Sequence, residues 1–170
     1  MSQCILEVNT ISKRFGGVKA LDRVSIKLNE GEVLALAGDN GAGKSTLIKI
    51  ISGVYTSDEG EISFNGRKIL NNNPNYSRNL GIETIYQDLA LADNLDVPSN
   101  IFLGREPIKK SLKFLHRLDR NFMYEQSVDV LESLKIEIPK SSLTQPVASL
   151  SGGQRQAIAI SRAIYWNAKI

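Results

Sequence analysis

The chain has 170 residues, 42% hydrophobic and 23% charged, which excludes a disordered or fibrous polypeptide and leaves enough length to bury a core without metal or disulfide staples. No stretch reaches the roughly 18 apolar residues of a membrane-spanning helix, and the first ten residues lack the basic region and apolar run of a secretory signal. A net charge of +3 is too small for a dedicated nucleic-acid binder, and the single cysteine, Cys4, excludes an internal disulfide and fits a reduced, cytosolic setting.

In chain order, Ile5, Leu6 and Val8 begin a strand, and residues 24–28 alternate apolar and polar with the period of a second one. A turn at 29–32 precedes residues 33–37, which are apolar throughout and predict a strand buried on both faces. Residues 44–52 predict a helix with Leu47, Ile48, Ile50 and Ile51 on its buried side and Gly53 as its stop. A turn at 58–60 leads to a strand at 61–64, and Asn65-Gly66 signals a hairpin into 67–69. Residues 71–75 are polar and turn-rich, and 82–86 form another short strand. Beyond Gln87 the pattern becomes helical. Tyr124, Val128, Leu131 and Leu134 lie on one stripe of an amphipathic helix over 123–135. Residues 139–146 read as a loop, and a last helix runs from Gly152 towards Trp166. Strands around a core with a helical insertion predict a mixed α/β fold.

Charge is unevenly placed. Arg105, Lys109, Lys110, Lys113, Arg117 and Arg120 are opposed locally only by Glu106 and Asp119. A solvated helix face is the expectation, with a docking surface for a partner or acidic headgroups left open. His116, the only histidine, lies in this segment and receives no catalytic role. Cys4 reads as a buried strand residue, and Tyr165 and Trp166 as packing groups.

Two motifs carry chemistry. Gly38-Asp39-Asn40-Gly41-Ala42-Gly43-Lys44-Ser45-Thr46 satisfies the phosphate-loop pattern G-x-x-x-x-G-K-[ST] at every required position. Its glycines permit close backbone approach, so that successive N–H groups converge on phosphate oxygens at a helix N-terminus. Lys44 supplies a point charge for the β- and γ-phosphates, and the Ser45 hydroxyl is placed to ligate Mg²⁺. Downstream, Leu150-Ser151-Gly152-Gly153-Gln154-Arg155-Gln156 opens a helix, with Ser151 and Gln154 in capping-box spacing. Two consecutive glycines weaken a helix by roughly 1 kcal/mol each relative to alanine, a cost that exposed amides facing an anion would explain.

Together these motifs resemble those of the ATP-binding subunits of ABC transporters, over essentially the whole chain. Residues 38–46 look like the family's Walker A loop, and 150–156 are similar to its signature motif. Gln87 sits where the family has its Q-loop glutamine, and Phe15 matches the aromatic that stacks on adenine. The resemblance implies an α/β P-loop NTPase fold of the ABC type, with an antiparallel β subdomain and a helical subdomain, lacking its C-terminal part. On that basis residues 1–87 form the nucleotide-binding core and β subdomain, 88–150 the helical subdomain and 151–170 the signature helix.

The resemblance also implies a mechanism. Two such domains pair head to tail as a homodimer, each ATP held between one Walker A loop and the opposite signature motif. Phe15, Gly38, Asn40, Gly41, Ala42, Gly43, Lys44, Ser45 and Thr46 would hold ATP and Mg²⁺ on one side. Ser151, Gly152, Gly153 and Gln154 would meet the γ-phosphate bound by the partner. Ser45 and Gln87 would ligate Mg²⁺, with Gln87 also positioning the attacking water and reporting nucleotide state to transmembrane permease subunits. The subunit is expected to be cytoplasmic, peripheral on the inner face of the membrane, without membrane insertion or nucleic acid as a partner.

Residues 81–95 and 100–106 further resemble the monosaccharide importer branch, served upstream by a sugar-binding protein. Many members of that branch carry two tandem domains; LSGGQRQ here resembles the single-domain members more closely. In this family an apolar strand ending in Asp-Glu follows the signature helix, and 168–170 look like its approach. The carboxylates and switch histidine expected beyond it are absent from these residues, so binding without meaningful hydrolysis is expected of them. An absent strand would also leave an exposed sheet edge beside 33–37 and promote self-association. A non-enzymatic nucleotide-binding remnant and a soluble non-transport ABC ATPase remain alternatives.

Overall fold

β1 (Cys4–Phe15) is the spine of an antiparallel sheet, paired on one side with β2 (Val18–Asn29) and on the other with β3 (Glu59–Phe64), to which β4 (Arg67–Lys68) adds. This computed structural model describes residues 3–70, 72–86, 89–111 and 115–170. Leu6 faces Leu28 and Phe64, and Val8 faces Ile26 and Ile62, so one face of the sheet becomes a continuous apolar surface. Thr10 then takes φ +49, and the next buried residue is Ile11 rather than residue 10. That irregularity breaks the period of two, which is why the sequence pattern shows only the first third of a twelve-residue strand.

α1 (Lys44–Ile51) lays Leu47, Ile50 and Ile51 against this surface, in one core with Leu6, Val8, Ile11 and Phe64. Asn65 and Gly66 both have positive φ, as the hairpin signal requires. The polar residues before position 75 turn out to start a helix, α2 (Pro74–Leu80). The Asn73 side chain accepts from the Tyr76 amide at 3.0 Å, and Pro74 is the first helical residue. Asn72 Nδ2 donates to the Ile50 carbonyl at 2.7 Å, and Ser77 Oγ donates to Asn72 Oδ1 at 2.6 Å. Of two asparagines that read as loop residues, Asn72 therefore satisfies the carbonyl end of α1 and Asn73 the amide end of α2.

Two predicted strands need correction. Residues 33–37 form no strand, and Val33 is 95% exposed. An all-apolar strand is stable only between neighbours, and no described segment pairs with this one. Residues 82–86 are likewise not a strand. Their start makes the bonds of a parallel pair, from Ile170 N to Gly81 O at 3.2 Å and from Glu83 N to Ile170 O at 3.0 Å. This sheet, α1, α2 and the Ile170 end make up one compact unit, Met1–Glu83 with Lys169–Ile170.

Thr84–Ala168 forms the second unit. It contains α3 (Val97–Ile101), α4 (Arg120–Ser133), α5 (Gly152–Tyr165) and a hairpin of β5 (Ile108–Ser111) with β6 (Leu115–Leu118). The basic segment, expected as a helix face, is therefore mainly this hairpin. Pro107 cannot continue a helix, and its carbonyl accepts from the Asp119 amide at the hairpin base, at 2.8 Å. Nor are all its cations merely solvated: the Arg105 guanidinium lies 4.6 Å from the Trp166 ring centroid, and Lys109 pairs with Asp119 at 3.4 Å. On α4 the fully buried residues are Met123, Ser127, Val130 and Leu131, one step round from the predicted stripe. Tyr124, Val128 and Leu134 pack at its margin. The predicted 139–146 loop carries a short 3₁₀ turn at Lys140–Ser142.

The core of this unit centres on Phe102, which meets Tyr165, Trp166 and Phe122 edge-on at 4.8, 5.7 and 6.3 Å. Trp166 Nε1 donates to the Ile101 carbonyl at 3.0 Å, so Tyr165 and Trp166 are packing groups as expected. Buried Asn100 accepts from the Ala92 amide and donates to the carbonyls around it, fixing the 92–96 loop. Phe102→Ala is expected to destabilise this unit by about 3–5 kcal/mol, read as a lower midpoint in urea unfolding.

Candidate nucleotide-binding site

The phosphate-loop residues lead directly into α1. Gly41 and Gly43 take φ +88 and +87, and Gly43 is the N-cap of α1. A Cβ at Gly43 would lie 2.4 Å from the Ala20 carbonyl oxygen and 2.7 Å from Leu21 Cδ2. Only glycine lets α1 begin this close to β2. No side chain caps α1, and its first turn holds no acidic residue. Its N-terminal amides and dipole are thus directed at a loop shaped to receive an anion. Lys44 Nζ folds back onto that loop, donating to Gly38 O at 2.6 Å and Asp39 O at 2.7 Å. The Ala42 amide closes a turn on the Asp39 carbonyl at 3.2 Å. Asn40, Gly41, Ala42 and Ser45 are exposed, with Thr46 half-buried behind them.

Phe15 belongs to the same unit. Gly43 rests on Ala20 and Leu21 of β2, Leu21 pairs with Lys13 of β1, and Phe15 follows two residues later, about 7 Å along the strand. Phe15 is 44% exposed, with Tyr55 edge-on to its ring at 5.3 Å and Lys13 Nζ 5.6 Å from the ring centroid.

Ser151 to Gln154 lie in the other unit, at the start of α5. The Ser151 hydroxyl accepts from the Gln154 amide, and Gln154 Oε1 accepts from the Ser151 amide at 3.0 Å, a complete capping box. Gly152 and Gly153 are exposed, and a Cβ at either would meet nothing within 4 Å. Packing within the chain does not require these glycines. The next turn is strapped down: Arg155 pairs with Asp93, whose carbonyl accepts from the Ala148 amide at 3.1 Å.

A family model described as ABC transporter matches residues 21–170. The chain belongs to the ABC transporter family. It is 53% identical over 166 residues to the xylose/arabinose import ATP-binding protein of Sulfolobus acidocaldarius, covering 98% of this chain and 63% of that one. It is 45% identical to the fructose import ATP-binding protein of Rhizobium meliloti, covering 98% of this chain and 64% of that protein. Among solved structures, a nucleotide-free ATP-binding cassette from an ABC transporter matches with TM-score 0.79 and 33% identity, over 97% of this chain and 66% of that one. The chain thus spans a little under two thirds of the length of these relatives, and it has the ABC ATPase fold, an antiparallel β sheet with helices.

Of the residues that the family motifs single out, the structure gathers Phe15 and 38–46 in one unit and holds Ser151–Gln154 in the other. Gln87 lies outside the described residues. Among the described residues no helix is long and apolar enough to cross a membrane. Sequence reasoning missed Asp58, Asp93 and Asn100, whose partners are distant in the chain. Asp93 and Asn100 lie in the stretches 81–95 and 100–106, which signal substrate class and not these contacts, and Asp58 lies in no motif. Gly43→Ala is expected to destabilise the phosphate-loop unit by about 1–3 kcal/mol, whereas Gly152→Ala is expected to be neutral or stabilising by up to about 1 kcal/mol. Urea denaturation of the two variants checks this contrast.

Proposed function

We propose that the chain is the nucleotide-gripping part of an ATP-binding subunit that powers sugar import by an ABC transporter. The observation that carries this reading is the uncapped start of α1 behind a loop whose Gly43 must be glycine and whose Lys44 ammonium is held at the loop mouth by two carbonyls. A triphosphate would replace those carbonyls as the partner of Lys44 and take up the loop amides. Phe15 offers its exposed ring to adenine. Asn40, Ala42 and Thr46 complete the cradle around the phosphates, and Ser45 with Gln87 would hold Mg²⁺. When bound, that ion would offset the negative charge of the phosphates.

The open space over Gly152 and Gly153 supports a role outside the single chain. In a head-to-tail homodimer, Ser151 and the amides that follow would approach the γ-phosphate held by the partner. The capping box preorganises those amides, because Gln154 already holds Ser151 in place. Relatives named for xylose/arabinose and fructose import support a sugar as cargo. They do not favour the non-transport alternatives. Permease subunits and a sugar-binding protein as partners, and a peripheral position on the inner membrane face, belong to the same proposal. A polypeptide of these 170 residues alone is expected to bind nucleotide without steady turnover, which a steady-state ATPase assay would check.

Lys44→Ala should weaken MgATP binding roughly 10- to 100-fold, since a charge-assisted contact to phosphate is lost. Isothermal titration of the wild-type and variant chains measures it. An unchanged affinity would remove the basis of the proposal.

A further inference from the structure

We infer that Asp58 is a positioning residue that aims Phe15 at the base of the bound nucleotide; the inference rests on the proposed reading of Phe15 as the adenine contact. The last rung between β1 and β3 is Ser12 with Glu59. Beyond it, Lys13, Arg14 and Phe15 have only β2 beside them, in a register that shifts twice between Ile11 and Arg14. Asp58 takes the place of the missing ladder. Its amide donates to the Ser12 carbonyl at 2.9 Å, its Oδ2 accepts from the Arg14 amide at 2.7 Å, and its Oδ1 accepts from Lys13 Nζ at 2.7 Å.

Three consecutive residues before Phe15 are therefore held by one side chain and its own backbone. The same Lys13 ammonium lies 5.6 Å from the Phe15 ring centroid, so Asp58 also fixes the cation beside the ring. Gly60 makes this approach possible: its φ is +85, and a Cβ there would lie 2.5 Å from the Asn9 and Thr10 carbonyl oxygens. The side chain of Asp58 is 43% exposed, so its weight lies in geometry more than in the strength of an ion pair. The Lys13 ammonium first, and the Arg14 amide second, hold its carboxyl below the usual carboxylate range. The clamp is thus charged at neutral pH. Its contribution is present above the ordinary carboxylate pKa and is lost as pH falls through the lowered one.

The test compares MgATP with magnesium tripolyphosphate, which fills the phosphate loop but has no base. Affinities of the wild-type, Asp58→Ala, Phe15→Ala and doubly substituted chains are measured by isothermal titration. Base–aromatic stacking is worth roughly 5- to 150-fold in affinity, and a loosened ring should forfeit part of it. Asp58→Ala is expected to reduce the preference for ATP over tripolyphosphate by about 5-fold, to leave tripolyphosphate affinity unchanged, and to have no further effect once Phe15 is alanine. A merely structural role would weaken both ligands alike, and that result would overturn the inference. If Phe15→Ala lowers the preference and Asp58→Ala does not, the inference fails while the reading of Phe15 stands. If the wild-type chain shows no preference, or Phe15→Ala leaves it unchanged, both fail. Should Asp58→Ala not fold, Asp58→Asn, which keeps an acceptor for the Arg14 amide but not the charge on Lys13, is read in the same way.

Discussion

The contact on which the phosphate-loop unit depends is the seat of Gly43 against the backbone of β2. With no side chain at this position, the first turn of α1 reaches a distance from the Ala20 carbonyl that any Cβ would block. Three features follow from that approach. The α1 N-terminus, with its free amides and dipole, faces the phosphate loop. Lys44 is brought within reach of the Gly38 and Asp39 carbonyls. And the β1–β2 hairpin, which carries Phe15 at its tip, is placed beside the loop through the pairing of Leu21 with Lys13. The rest of the unit supports this seat: Leu47, Ile50 and Ile51 bury the far side of α1, and Asn72 ties its carbonyl end.

The second unit solves a different problem. A helix that begins with two glycines is weak at its start, and here it is held by a reciprocal cap and a strap one turn further on. Ser151 and Gln154 satisfy each other's backbone amides, and Arg155 reaches Asp93 in a loop that Asn100 holds from within the core. Flexibility that Gly152 and Gly153 would otherwise introduce is confined. Their amides stay exposed and ordered, which is the condition for binding an anion with little reorganisation.

Much of this was legible in the sequence where the signal is local. The phosphate loop, the capping box, the Asn65-Gly66 hairpin and the helices α1, α4 and α5 depend on residues a few positions apart, and the pattern shows them. The misreadings share a cause, which is dependence on distant neighbours. Residues 33–37 have the composition of a buried strand, yet no described segment pairs with them. The basic stretch read as a helix face is mainly a hairpin closed by Pro107 and Asp119. Asn72 reads as loop until the carbonyl end of α1 is present for it to satisfy, and Asn73 until α2 is there to be capped. Asp58 offered no local signal, because its three bonds go to residues 12–14, far back in the chain.

By itself the sequence determined the chemistry: a lysine and a hydroxyl after a glycine loop, and a capped pair of glycines opening a helix. These are matters of residue type at short spacing, so no folding was needed to read them. Tertiary structure alone decided how that chemistry is aimed. It set α1 against β2, brought Phe15 alongside the loop, and put Asp58 where the strand ladder stops. Such placements come from close approaches and hydrogen bonds between segments far apart in the chain, and no local pattern encodes a distance of that kind.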